Sequence, residues 1–148
     1  MKTFQIMSNE LSTPRVLFCL LDSQKTNAAN FGSGFTAKNI SYFIGLDASS
    51  NAPKSILSGD DNFAVGGMSV ESGMLQVSTN APATWTSARH VPYNIHFWTP
   101  ECGRHAGHIL FADGSVDSRV GLLWLTDDKS LAEAFTSTGL ATNRLAIP

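Results

Sequence analysis

Charge, cysteine and long apolar runs are all scarce in this chain, and each shortage closes off a class of function. Only 15% of its 148 residues are charged, against roughly 25% in an average globular domain. The 10 basic residues stand against 12 acidic ones, for a net charge of −2. No run of Lys or Arg is long enough to lay a stripe along a phosphate backbone, which argues against nucleic acid as a partner. The longest apolar run is Val16 to Leu21, far short of the roughly 20 residues that cross a bilayer. Met1 to Gln5 do not open a signal peptide, which would place an apolar stretch of about 7–15 residues behind a basic start. The expectation is a chain that does not itself span a membrane. Two cysteines, Cys19 and Cys102, are too few and too far apart for a zinc knuckle or a CxxC redox pair. A disulfide between them and two reduced thiols both remain open.

The chain does have the length and the 43% hydrophobic content of one compact domain, which should bury about two-thirds of its unfolded surface. Phe4, Ile6, Met7 and Leu11 partly follow helical spacing, so residues 4–11 are expected to form a helix with its apolar face covered by a sheet. Ser12-Thr13-Pro14 stops it, because proline has no N–H to donate and disfavours helix in the residue before it. Arg15 to Cys19 reads as a short buried strand and residues 22–39 as a long surface loop around Gly32-Ser33-Gly34.

Ile40 to Leu46 reads as a strand with Ile40, Tyr42, Ile44 and Leu46 on one face and Phe43 on the other. Asp47 to Pro53 and Gly59 to Asn62 read as turns, with Ser55-Ile56-Leu57 a short apolar step between them. Met74 to Val77, Asn94 to Trp98 and His108 to Ala112 read as further strands. Asp113-Gly114 predicts a type I′ hairpin returning through Ser115–Asp117. Ser130 and Glu133 have capping-box spacing, Leu131 and Phe135 are four apart, and Gly139 suits a helix end, so one C-terminal helix is expected. A helix, then strands, then a helix is an α+β order.

Candidate chemistry is thin. His96, His105 and His108 lie close in sequence and Asp113 could add a carboxylate, but His105 and His108 would share a face only on a helix, and Gly103 and Gly107 argue against one. Asp60, Asp61 and Asn62 carry the oxygens calcium prefers, without the alternating ligands and closing Glu of a calcium loop. Asp127 and Asp128 are accounted for by the positive end of the helix that follows them. Cys102 precedes His105 by three residues, and no GxSxG elbow occurs. Trp85, Trp98 and Trp124 could form an aromatic platform, although tryptophans usually fill cores. None of these is read as a catalytic, cofactor or metal site.

Several stretches together resemble a known family. Phe4 to Cys19, Ile40 to Ala48, Ile56 to Asp60, His105 to Val116 and Thr138 to Pro148 are similar, in that order, to segments of pilin-like type II secretion proteins with prepilin-type processing. Departures are Leu20-Leu21-Asp22 where the family often has Pro-Ser-Asp, and seven rather than nine residues between His105 and Asp113. The family's processing site and the apolar first half of its helix are not in this sequence.

The resemblance implies a single pilin-like α+β domain over 1–148, with 1–12 the end of a truncated N-terminal helix packed on an antiparallel sheet, and a short C-terminal helix. It further implies a non-catalytic structural subunit without cofactor, facing the periplasm in the cell envelope. Its partners would be other pilin-like subunits and the secretion machinery, and its membrane contact only the missing part of the helix. The alternative is a secreted or surface ligand-binding module on the same fold. A hydrolase using Cys102 and His105 is the remote third reading.

Overall fold

The computed structural model describes residues 2–20, 22–86, 106–120 and 130–148. Two short helical turns, α1 (Lys2–Ile6) and α2 (Ser8–Leu11), lead into a 3₁₀ turn at Pro14–Leu17. Strands follow as β1 (Tyr42–Gly45), β2 (Ile56–Asp60), β3 (Phe63–Val65), β4 (Met68–Ser69), β5 (Gly73–Ser78), β6 (Ala83–Trp85), β7 (Ala106–Phe111) and β8 (Val116–Val120). Helix α3 (Ser130–Ser137) and strand β9 (Thr142–Ile147) close the chain. The strands make a six-stranded sheet in the order β5-β9-β1-β2-β7-β8 and a three-stranded sheet in the order β4-β3-β6. All recorded pairings are antiparallel.

This corrects the expected pilin-like α+β arrangement, because the described residues are mostly antiparallel sheet and among them no long helix packs on it. The helix expected over 4–11 breaks at Met7, whose side chain offers no cap to the second turn, and segments this short cannot propagate without one. Ser12 ends it at φ 60°. Phe4 and Leu11 turn inward onto a small cluster of Leu17, Phe35 and Ile40, while Ile6 and Met7 are exposed. The strand expected at Arg15–Cys19 is instead the 3₁₀ turn. Pro14 suits its first position, and the Thr13 hydroxyl accepts the Arg15 N–H at 3.3 Å. The 22–39 loop does more than cover surface: Phe31 meets Phe35 edge-on with ring centres 5.1 Å apart, and both join that cluster.

One face of the large sheet carries the main core. Phe43, Ile56, Ile109, Phe111, Leu145 and Ile147 meet Phe63, Ala83 and Trp85 of the small sheet and Leu131, Ala134 and Phe135 of α3. The alternation expected for Ile40–Leu46 is kept over β1, and the core takes the Phe43 side: Phe43 is fully buried, whereas Tyr42 and Ile44 are half-buried on the other face. Ile56-Leu57 of the expected step and Gly59-Asp60 of the expected turn, with Ser58 between them, make the central strand β2. A bulge between Ile56 and Ser58 keeps Ile56 and Gly59 on the same side.

The Asp113-Gly114 hairpin forms, but not as a type I′ turn. The Gly114 N–H donates to the Phe111 carbonyl and the Phe111 N–H to the Ser115 carbonyl, leaving three residues in the loop with only Gly114, at φ 81°, in the left-handed region. That is a type I turn closed by a glycine bulge. Helix α3 ends at Gly139, φ 72°, as its sequence implies. The expected strand Asn94–Trp98 lies outside the described residues.

Candidate functional site

The sheet face opposite the core is only partly covered, and there the polar side chains gather. Ser58 and Asp60 on β2 and His108 and Leu110 on β7 all point to this face, because Gly59, Ile109 and Phe111 between them point to the core. Val116 follows on β8, where it pairs with Leu110. Tyr42 of β1 stands opposite Asp60. The N-terminal segment lies alongside, and with it these residues bound an open groove of about 520 Å³ whose far wall is Phe4, Leu11, Val16, Leu17 and Cys19.

Asp60 sits at the inner end of the groove, almost wholly buried, and is tied to β7 twice. Its Oδ2 accepts the His108 backbone N–H at 2.8 Å and lies 3.0 Å from the His108 Nδ1. The first bond continues the ladder where β2 runs out of backbone partners. The second orients the imidazole, since a carboxylate at that distance selects the tautomer with its proton on Nδ1 and turns Nε2 outward. The ring is half exposed, at 49%, so that outward nitrogen can be reached. Beside the pair, Tyr42 and Cys19 are hydrogen-bonded through their side chains. Burial, then the Cys19 sulfur and the Asp60 carboxylate, push the tyrosine hydroxyl up to about 12. Cys19 is a free thiol, and its backbone N–H donates to the Ser41 hydroxyl at 3.1 Å.

The acidic run splits in two directions. Asp60 faces His108, whereas Asp61 reaches Lys25 at 3.4 Å in a pair buried on both sides, and Lys25 also donates to the Ala37 carbonyl. Asn62, buried, accepts the Thr86 N–H through its backbone carbonyl. The Asp60–Asn62 turn expected from sequence is thus the buried end of β2 and its link to β3, with its carboxylates pointing at different partners. Among the described residues no group of three or more His, Cys, Asp or Glu side chains is placed to hold a metal ion.

Asp113 lies at the tip of the β7–β8 hairpin and does not line the groove. It accepts the Ser115 hydroxyl and N–H, which hold its carboxyl down at about 2, with Lys54 at 3.2 Å adding a smaller pull. Its role is to close the loop. Trp85 is 2% exposed and packs edge-on to Phe63 at 6.3 Å, so it fills the core rather than presenting a ligand face. His96, His105, Cys102, Trp98, Trp124, Asp127 and Asp128 lie outside the described residues.

The structure therefore joins Asp60 to His108, 48 positions apart, and brings Cys19 and Tyr42 to the same groove, a combination that no local motif announces. Chemically, the groove offers apolar walls with one oriented imidazole, one thiol and one phenol at its polar end. That set suits an apolar segment carrying a hydrogen-bonding group. Among the described residues no helix is long and apolar enough to cross a membrane. No family model matches the chain, and no curated protein or solved structure matches it either.

Proposed function

We propose that this chain is a non-catalytic structural subunit of a type II secretion or pilus-like assembly, held on the periplasmic side of the envelope and working through apolar contact. The observation that carries the reading is the segment forming one wall of the groove. Ile6 is 78% exposed, Val16 54% and Leu20 89%, three large apolar side chains offered to solvent by the first twenty residues, as a contact surface between subunits would offer them. The ordered resemblance of five segments to pilin-like secretion proteins supplies the kind of assembly, and the sheet supplies a rigid base for the contact. Here the exposed side chains of the N-terminal segment do the joining, and Asp60 and His108 secure the sheet end beneath it.

A gene deletion complemented by variants tests this. Chains carrying Ile6→Asp with Leu20→Asp should fold but fail to co-sediment with the envelope assembly and fail to restore secretion. His108→Ala should restore both. A folded His108→Ala chain that restores nothing would overturn the structural reading.

The second reading, a ligand-binding module, is favoured by one observation: the oriented imidazole of His108 opens into the groove beside Tyr42. In that case His108→Ala would abolish retention of the ligand while leaving sedimentation with other subunits unchanged.

A further inference from the structure

The two edges of the six-stranded sheet are finished differently. β8 ends one edge and carries Asp117, a charge of the kind that discourages a neighbouring strand. β5 ends the other and reads Gly-Met-Leu-Gln-Val-Ser, without a charge or a proline. Its register with β9 runs unbroken from Gly73↔Ile147 to Ser78↔Thr142, with no bulge to twist it away. Long, regular, uncharged edges are those that accept another strand.

The hydrogen-bond phase of that edge can be read directly. The Thr79 N–H donates to the Ala141 carbonyl, and on the other side of β9 the Leu46 N–H donates to the Arg144 carbonyl. Antiparallel bonding alternates along a strand, so Arg144 and Ala146 face β1 while Asn143, Leu145 and Ile147 face β5. Val77, Leu75 and Gly73 are their partners. The N–H and C=O groups of Met74 and Gln76 therefore point away from the sheet, and among the described residues no strand lies on that side.

We infer that β5 is a docking edge whose partner is β5 of a second copy of this chain, paired antiparallel about a two-fold axis at Leu75. Three features select a second copy. Opposed residues in an antiparallel pair share a face, so an axis at Leu75 puts Leu75 against Leu75, Met74 against Gln76 and Gly73 against Val77 with every side chain on its proper side. No like charges meet, because the strand has none and the flanking Glu71 falls opposite Thr79. Leu75, half-buried against the main core, would be covered by its own counterpart, so the core continues across the axis. The outward groups of Met74 and Gln76 then make two reciprocal bonded pairs, and Met74, 70% exposed, is shielded. The Ser78 carbonyl, already accepting the Ala81 N–H, is not needed. A contact of one strand per copy is small, so the pairing is weak and concentration-dependent. It stands on the sheet edge alone and does not depend on the groove.

Sedimentation equilibrium of the purified chain over a concentration series tests it, with thermal unfolding confirming the fold of each variant. The wild type should show a monomer–dimer equilibrium. Met74→Lys with Gln76→Lys, which sets Lys against Lys twice, should shift the dissociation constant at least tenfold upward. Met74→Glu with Gln76→Lys sets Glu against Lys twice across the axis and should restore or tighten the dimer. A wild type that stays monomeric up to about 1 mM, or a dimer equally strong in all three chains, would overturn the inference. Should the double-lysine chain misfold, the wild type and the Glu–Lys chain still decide, because only pairing in this register makes the second at least as tight as the first.

Discussion

The two faces of the large sheet are built on opposite terms. The core face meets a second sheet and a helix chiefly through aromatic and aliphatic side chains: Phe43, Phe63, Trp85 and Phe135 form one cluster of edge-on and tilted rings, with Phe63 touching all three others. Among the described residues the groove face meets the N-terminal turns, and beside Leu110 and Val116 its own side chains are the polar Ser58, Asp60, Tyr42 and His108. Apolar packing decides the first face, and hydrogen bonds to a few carboxylate and hydroxyl oxygens decide the second. A domain arranged in this way can alter its groove side without dissolving its core, which is what a surface for partners requires.

The largest effect should come from emptying the centre of the core. Phe63→Ala removes the ring shared by Phe43, Trp85 and Phe135 and should cost about 3–5 kcal/mol, read as a fall in the urea midpoint with its slope unchanged. Leu17→Ala, in the smaller cluster, should cost about 2 kcal/mol, at the low end for such a change, because only Phe35 and Ile40 are buried with it. If the smaller cluster unfolds separately from the sheet, amide exchange in residues 14–40 should rise in Leu17→Ala while β1 and β2 stay protected. Equal losses from the two substitutions would erase the distinction between the faces.

Neighbouring residues on β2 sharpen the comparison. A Cβ at Gly59 would stand 2.7 Å from both Ile109 and Phe43, so Gly59→Ala overfills the core face and should cost about 2 kcal/mol. Ser58, one position earlier, points the other way and donates its hydroxyl to the Phe43 carbonyl at 2.7 Å. Ser58→Ala should cost about 1 kcal/mol. Thermal unfolding of the two variants side by side checks the order. A larger loss at Ser58 would mean that the groove face is the better packed of the two.

How much of this was legible in the sequence follows from the same contrast. Strands with apolar side chains to show, β5 and β7, can be read locally, as can the proline stop at Pro14, the Asp-Gly turn and the α3 helix with its terminal glycine. β2 hides because Ser58-Gly59-Asp60 has the composition of a turn, and glycine is needed there only because Ile109 and Phe43 fill the space beside it. β3 and β6, of three residues each, are shorter than any period can reveal. β9 alternates correctly, but its first buried residue is Asn143, whose amide donates to the Phe135 carbonyl at 3.2 Å, and a polar residue in that place disguises the pattern. The resemblance to pilin-like proteins points to the end of a truncated helix over 1–12 packed on the sheet, where the chain instead makes two short turns broken at Met7 and stopped at Ser12. The Asp60–His108 pair depends on β2 lying beside β7, a fact of topology with no local signature.

The smallest expected effect belongs to Tyr42 and is a matter of pH. Its hydroxyl is held at about 12 in the folded chain, chiefly by burial and then by Cys19 and Asp60, against about 10 when unfolded. A group whose folded value is raised contributes stability that is whole below the unfolded value and is lost as pH climbs through the folded one, because between the two only the unfolded chain has released the proton. Stability should therefore fall between about pH 10 and 12, and Tyr42→Phe should flatten that fall while leaving stability at pH 7 nearly unchanged. Urea midpoints at three alkaline pH values, for the wild type and this variant, measure it. Parallel curves for the two chains would show that the groove face does not shield Tyr42 from solvent. It would then be as open as the sheet's outer edge, and the contrast between a closed face and a half-covered one would become a contrast between a closed face and a bare one.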